Sequence, residues 1–161
     1  MMLELLILII LAVLSFFYNI FDLKGIIAAF SIGALIIYLN PAWFYVILAS
    51  YPITSFVTRF REREKRKYRE WRKIRTVRHI LANTLIGAIF ALFGSFNGFV
   101  GAISAATADT ASSEIGILSK SWPRMITDFR KVKPGTDGGV TLLGTLSSAL
   151  AAFGVGLVSF L

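Results

Sequence analysis

Phe96-Asn97-Gly98-Phe99-Val100-Gly101-Ala102-Ile103-Ser104-Ala105-Ala106-Thr107-Ala108-Asp109-Thr110-Ala111-Ser112-Ser113-Glu114-Ile115-Gly116 decides how this chain is read. Its first half is apolar and rich in small residues, the composition of a helix packed closely inside a membrane. Its second half carries two carboxylates and several hydroxyls. An acidic side chain at the centre of a membrane helix costs about 2.5–3.5 kcal/mol on insertion scales, so such a residue is expected to have a function.

The segment is one of several. About 20 apolar residues cross a bilayer as a helix. Candidate spans fall at 3–20, 25–39, 42–58, 79–94, 96–117 and 139–160. The chain of 161 residues is 56% hydrophobic with a mean hydropathy of +0.72. It reads as all-α: a single domain over 1–161, a polytopic membrane bundle of about six helices. Met1 to Phe17 lacks the basic start and small-residue cleavage site of a signal peptide, and is read as the first helix. Asn19 to Lys24, Asn40-Pro41 and Gly94-Ser95 supply the breaks. The segments 25–39 and 79–94 are short for a full span, which calls for a thinned bilayer or, for oblique crossing, a longer stretch. No cysteine and a single histidine exclude disulfides, thiolate sites and multi-His metal sites.

Charge is placed unevenly. Residues 59–78 hold eleven of the 17 Lys and Arg but three of the nine Asp and Glu, which accounts for the whole net charge of +8. The positive-inside rule puts this segment in the cytoplasm. With six spans the 119–138 loop, also basic, lies on the same side and both termini lie outside. Localisation is expected at the cell membrane, multi-pass, with the active site facing the cytoplasm. Within 59–78, Tyr68, Trp71, Ile74 and Val77 form an apolar stripe and Glu62 precedes Arg66 by four, so a basic amphipathic helix in the headgroup layer is expected. Its partners are anionic membrane lipids or an anionic substrate; the membrane context argues against nucleic acid. A plain topogenic anchor accounts for the same charges.

Three polar elements should meet on the cytoplasmic side. In a continuous helix Asp109 shares a face with Ser112, Ser113 and Gly116, while Glu114 lies about 140° away. Carboxylates with hydroxyls and no His or Cys suit a hard cation, Mg²⁺ above all. Both acids reach one ion only if the helix bends; neutralisation by Lys or Arg is the other reading. The second element, Lys133-Pro134-Gly135-Thr136-Asp137-Gly138-Gly139-Val140-Thr141, is a glycine-rich approach to a helix N-terminus and a candidate anion site. Asp137 there is a metal ligand or an N-cap, and the same residues make an ordinary turn. The third is Lys120, Arg124, Arg130 and Lys131, suited to phosphate oxygens or simply to topology. Asn83, inside the fourth span, is a further polar candidate or interhelical glue. Small residues at Gly94, Gly98, Ala102 and at Gly101, Ala105, Asp109 predict close helix packing around a central fifth helix, and are compatible with a homodimer.

Together these motifs resemble a known family. Leu81-Ala82-Asn83, Gly101-Ala102, Ala108 to Gly116, Pro123-Arg124-Met125-Ile126-Thr127, Pro134 to Val140 and Gly144-Thr145 are similar, in order and spacing, to the integral membrane family containing plant phytyl phosphate kinase and its archaeal and animal relatives. That family is grouped with the CTP-using dolichol kinase and phosphatidate cytidylyltransferase class. The resemblance implies transfer of the CTP γ-phosphate to a phytyl or geranylgeranyl type monophosphate. It implies that Asp109, Glu114 and Asp137 are catalytic or Mg²⁺ carboxylates. Asn83, Ser112, Ser113 and Thr136 would contact nucleotide; Lys120, Arg124, Lys133 and the Gly135, Gly138 and Gly139 backbone would hold phosphate. Many members of that family continue with further hydrophobic sequence, whereas this chain stops at Leu161. The rival readings are cytidylyl transfer to a lipid phosphate, and a non-enzymatic cation transporter or lipid-binding protein.

Overall fold

The computed structural model describes residues 1–68 and 77–160. Each of the six apolar segments is a helix: Met2–Phe17 (α1), Leu23–Leu39 (α2), Phe44–Arg59 (α3), Val77–Leu92 (α5), Phe96–Gly116 (α6) and Leu142–Val158 (α7). A single turn, Glu62–Lys65 (α4), follows α3, and a two-stranded ribbon, Arg124–Met125 (β1) with Gly139–Val140 (β2), joins α6 to α7.

The breaks have local causes. Asp22 accepts the Gly25 N–H at 2.7 Å and caps α2. Asn40 accepts the Ala42 N–H at 3.0 Å and, with Pro41, starts the 3₁₀ turn before α3. Ser95 caps α6 through the Gly98 N–H. Each side chain satisfies a donor that the first helical turn leaves without an intrahelical partner.

α6 is central, packed against α3, α5 and α7. Ile103 and Phe99 are buried in a cluster with Ile36, Val46, Ala91 and Val155, so residues from α2, α3, α5 and α7 all meet this helix. Trp43 lies on Phe99 with ring centroids 5.3 Å apart and seals the end away from the ribbon. The two predicted small-residue faces differ. A Cβ on Gly98 would run into the Phe90 ring of α5, whereas Gly101 faces open space. Only the first of them is a packing face within the chain.

The outer surfaces are apolar. Phe17, Phe93, Leu150 and Phe153 stand exposed, an arrangement that water-soluble monomers avoid. Yet no described helix is long and apolar enough to cross a membrane. The physical reason is divided. α1, α2, α3, α5 and α7 have 16 or 17 residues. At 1.5 Å per residue they reach about 24–26 Å, short of a core about 30 Å thick. α6 has 21 residues, but its acidic second half lowers its hydropathy.

All 17 Lys and Arg fall at three places in the sequence: Lys24 in the first turn of α2, residues 59–78, and residues 120–133. The described parts of these segments meet at one end of the bundle. Arg59 donates to the Tyr18 carbonyl, Lys65 reaches Glu114 on α6, and a Cβ on Gly135 would lie 3.1 Å from the Tyr68 carbonyl oxygen.

The expected continuous basic helix is not formed across its described part. α3 ends at Arg59 and Arg61 adopts a left-handed φ of 48°, which stops the helix. The expected Glu62–Arg66 ion pair is made. Of the predicted apolar stripe, Trp71 and Ile74 lie outside the described residues.

Candidate functional site

The polar end of the bundle is built on the second half of α6. The helix is unbroken from Phe96 to Gly116, so it does not bend to bring its acids together. Glu114 is on the inward face, buried with Phe99, Ile103, Thr107 and Ala111. Asp109 is exposed on the outward side, with Gly101, Ala105 and Ser113. The Asp109 carboxylate takes no hydrogen bond or ion pair from the described residues.

Glu114 meets Lys65, whose Nζ donates to Glu114 Oε2 at 2.6 Å and to the Val57 and Thr58 carbonyls at 2.8 Å each. Lys65 is fully buried. Those three acceptors occupy its three donor positions, and two of them are the carbonyls left open by the last turn of α3. One ammonium thereby closes the end of α3, folds α4 beneath the bundle and compensates an acid on α6. This is the neutralised-carboxylate reading of Glu114.

The ribbon follows from its turns. Arg124 pairs with Val140 and Met125 with Gly139. Thr136 N–H donates to Lys133 O and Gly139 N–H to Thr136 O, two consecutive turns. Gly135 and Gly138 have φ of +86° and +78°, the left-handed region glycine enters without strain. Two of the N–H groups expected to cradle phosphate are therefore used within the loop. Lys120, Lys133, Thr136 and Asp137 are exposed around it. Arg124 is also exposed, with Nη1 donating to the Phe129 carbonyl at 3.1 Å. Asp137 is not the N-cap of α7. Thr141 is, accepting the Gly144 N–H at 3.1 Å.

α6 and α7 touch backbone to backbone beside this loop. A Cβ on Gly144 would sit 3.0 Å from Ser112 O and 3.2 Å from the Gly116 Cα. Thr141 and Ser147 donate to the Gly116 and Ala111 carbonyls at 3.3 and 3.2 Å. Ser112 uses its hydroxyl on Asp109 O at 2.9 Å. Part of the Asp-Thr-Ala-Ser-Ser-Glu-Ile-Gly motif therefore serves helix packing, and it positions the N-terminus of α7 at the polar end.

Asn83 stands apart from Asp109. It lines an interior cavity with Thr54 of α3 and Thr107 on the inward face of α6. Among the described residues no three His, Asp or Glu side chains come together as a metal-holding group. Asp109, Glu114 and Asp137 are thus not assembled into one Mg²⁺ site. Lys65 was not legible as a site residue, because nothing in the sequence separates it from its ten basic neighbours in 59–78.

A helical bundle with an apolar outer surface and its described cations gathered at one end is the arrangement of a membrane protein with one polar side. The chain belongs to the integral membrane protein family DUF92, whose model matches residues 6–161. It is 54% identical over 50 residues to an uncharacterized membrane protein of Methanocaldococcus jannaschii, covering 31% of this chain and 21% of that one. It is 54% identical over 46 residues to Protein PGR of Arabidopsis thaliana, covering 29% of this chain and 16% of that one. The matched stretches thus span about a fifth or less of these curated relatives. No solved structure matches the chain.

Proposed function

We propose that this protein is a CTP-dependent kinase that converts an isoprenoid monophosphate of the phytyl or geranylgeranyl type to its diphosphate. It would span the cell membrane with six helices and face the cytoplasm with its polar end. The observation that supports this most is the meeting of three basic segments with the acid-bearing end of α6 and the N-terminus of α7.

In this reading a terminal oxygen of the lipid phosphate attacks the γ-phosphorus of CTP. The bond from that phosphorus to the β–γ bridging oxygen breaks, and CDP leaves. The acceptor is already an anion, so positioning and charge neutralisation carry the reaction more than a strong base does. Lys120, Arg124 and Lys133 take up phosphate charge, and the positive end of the α7 dipole adds to it. Ser112, Ser113, Thr136 and the Gly135 and Gly138 backbone contact nucleotide. Asp109 and Asp137 are the carboxylates exposed to the reacting groups, and Glu114 anchors the basic connection. Since the three acids do not form one Mg²⁺ site here, no step is assigned to a metal held by all three.

The test is to supply γ-labelled CTP, Mg²⁺ and geranylgeranyl phosphate to the protein in nanodiscs. Labelled lipid diphosphate with CDP is the expected result. Release of pyrophosphate would instead establish cytidylyl transfer, and no CTP consumption with any prenyl phosphate would overturn the enzyme reading.

A further inference from the structure

The interior of the bundle holds a space that the proposed reaction does not use. One compartment, of about 80 Å³, lies among α1, α2 and α3 and is walled by Leu8, Ala12, Ala29, Ile32, Phe44 and Leu48. A second, of about 100 Å³, is lined by Ser50, Thr54, Asn83, Ala106 and Thr107. Both are lined by Phe21, Ile47, Tyr51 and Thr84, so they adjoin. From Phe44 to Thr54 the pair extends about 15 Å along α3 at 1.5 Å per residue. The space is long, apolar for most of its length and polar at one end.

The polar end has a definite hydrogen-bonding character. Ser50, Thr84 and Thr107 donate their hydroxyl protons to Ile47, Ile80 and Ile103 carbonyls at 2.8, 2.7 and 2.8 Å. Ser15 spends its proton on Leu11 O at 2.7 Å, so the proton in its contact with Tyr51 comes from the tyrosine. Their oxygens can therefore only accept. Asn83 is the exception: its amide makes no hydrogen bond among the described residues, and it offers both donors and an acceptor. Among the described residues no Lys, Arg or His lines either compartment.

A ligand group that suits this end must donate to acceptor oxygens and accept from an amide. A hydroxyl does both, whereas a carbonyl only accepts. A phosphate would bring uncompensated charge into an apolar interior. We infer that the cavity binds a neutral single-chain alcohol, its hydroxyl on Asn83 and its chain among α1, α2 and α3. The site is independent of the kinase reading, because it needs neither nucleotide nor the charged loops.

The test uses the protein in nanodiscs without CTP, labelled by a diazirine-bearing analogue of hexadecanol. Label should map to peptides from α1 to α3. Hexadecanol and geranylgeraniol should displace it at concentrations about tenfold below those needed for hexadecane or hexadecyl phosphate. The better of the two alcohols identifies a straight or a prenyl chain. Asn83→Leu should erase the advantage of the alcohols over hexadecane, and Ala29→Trp should abolish labelling by filling the cavity. Equal displacement by hexadecane or hexadecyl phosphate would overturn the inference, as would undiminished labelling of Ala29→Trp. The overall helix content by circular dichroism keeps a misfolded variant from being read as support.

Discussion

The inward and outward faces of α6 receive similar acids and treat them differently. Glu114, inward, is buried against an ammonium that also holds two carbonyls of α3. Asp109, outward and five residues earlier, is exposed and without a partner among the described residues. The same motif therefore contains one carboxylate whose charge the fold has already compensated and one whose charge is available to a ligand. An acid neutralised within its own chain holds structure together. An acid left open at comparable insertion cost is the better candidate for chemistry.

The comparison breaks first at the buried pair. Glu114→Ala removes the carboxylate that Lys65 Nζ meets at 2.6 Å and should cost about 3–5 kcal/mol, read as a lowered unfolding midpoint in detergent. Replacing both partners, Lys65→Met with Glu114→Leu, should restore most of that loss. If the double variant is as unstable as the single one, pairing is not what Glu114 contributes. A smaller effect is expected where α7 presses on α6. Gly144→Val drives a side chain into Ser112 O and the Gly116 Cα and should cost about 1–3 kcal/mol in the same measurement. The least effect is expected on the outward face. Ala105 is exposed, so Ala105→Leu should change stability by less than about 0.5 kcal/mol. A larger loss there would mean that this face is covered.

Much of the frame was legible because it depends on local signals. Asp22, Asn40-Pro41 and Ser95 are short-range start signals, and the helices begin where these residues stand. The central place of α6 followed from its small residues, although only Gly98, not Gly101, meets a neighbour within the chain. The Lys65–Glu114 pair was not legible, since it joins residues 49 apart and depends on the left-handed turn at Arg61. Strands of two residues are too short to carry an alternation signal, so β1 was expected only as loop and Gly139–Val140 (β2) as the start of the sixth span. Asn83 was visible as a polar residue in an apolar span. Its cavity was not, because a space between α3, α5 and α6 is a property of packing and has no sequence pattern.

The claim that the open acid, rather than the paired one, does the chemistry is tested most directly at Asp109. Transfer of label from γ-labelled CTP to geranylgeranyl phosphate should be compared between the unaltered protein and Asp109→Asn at matched helix content. The account predicts a loss of about a hundredfold or more in the rate, with an unfolding midpoint unchanged within error. An Asp109→Asn protein that transfers phosphate at the unaltered rate would contradict it.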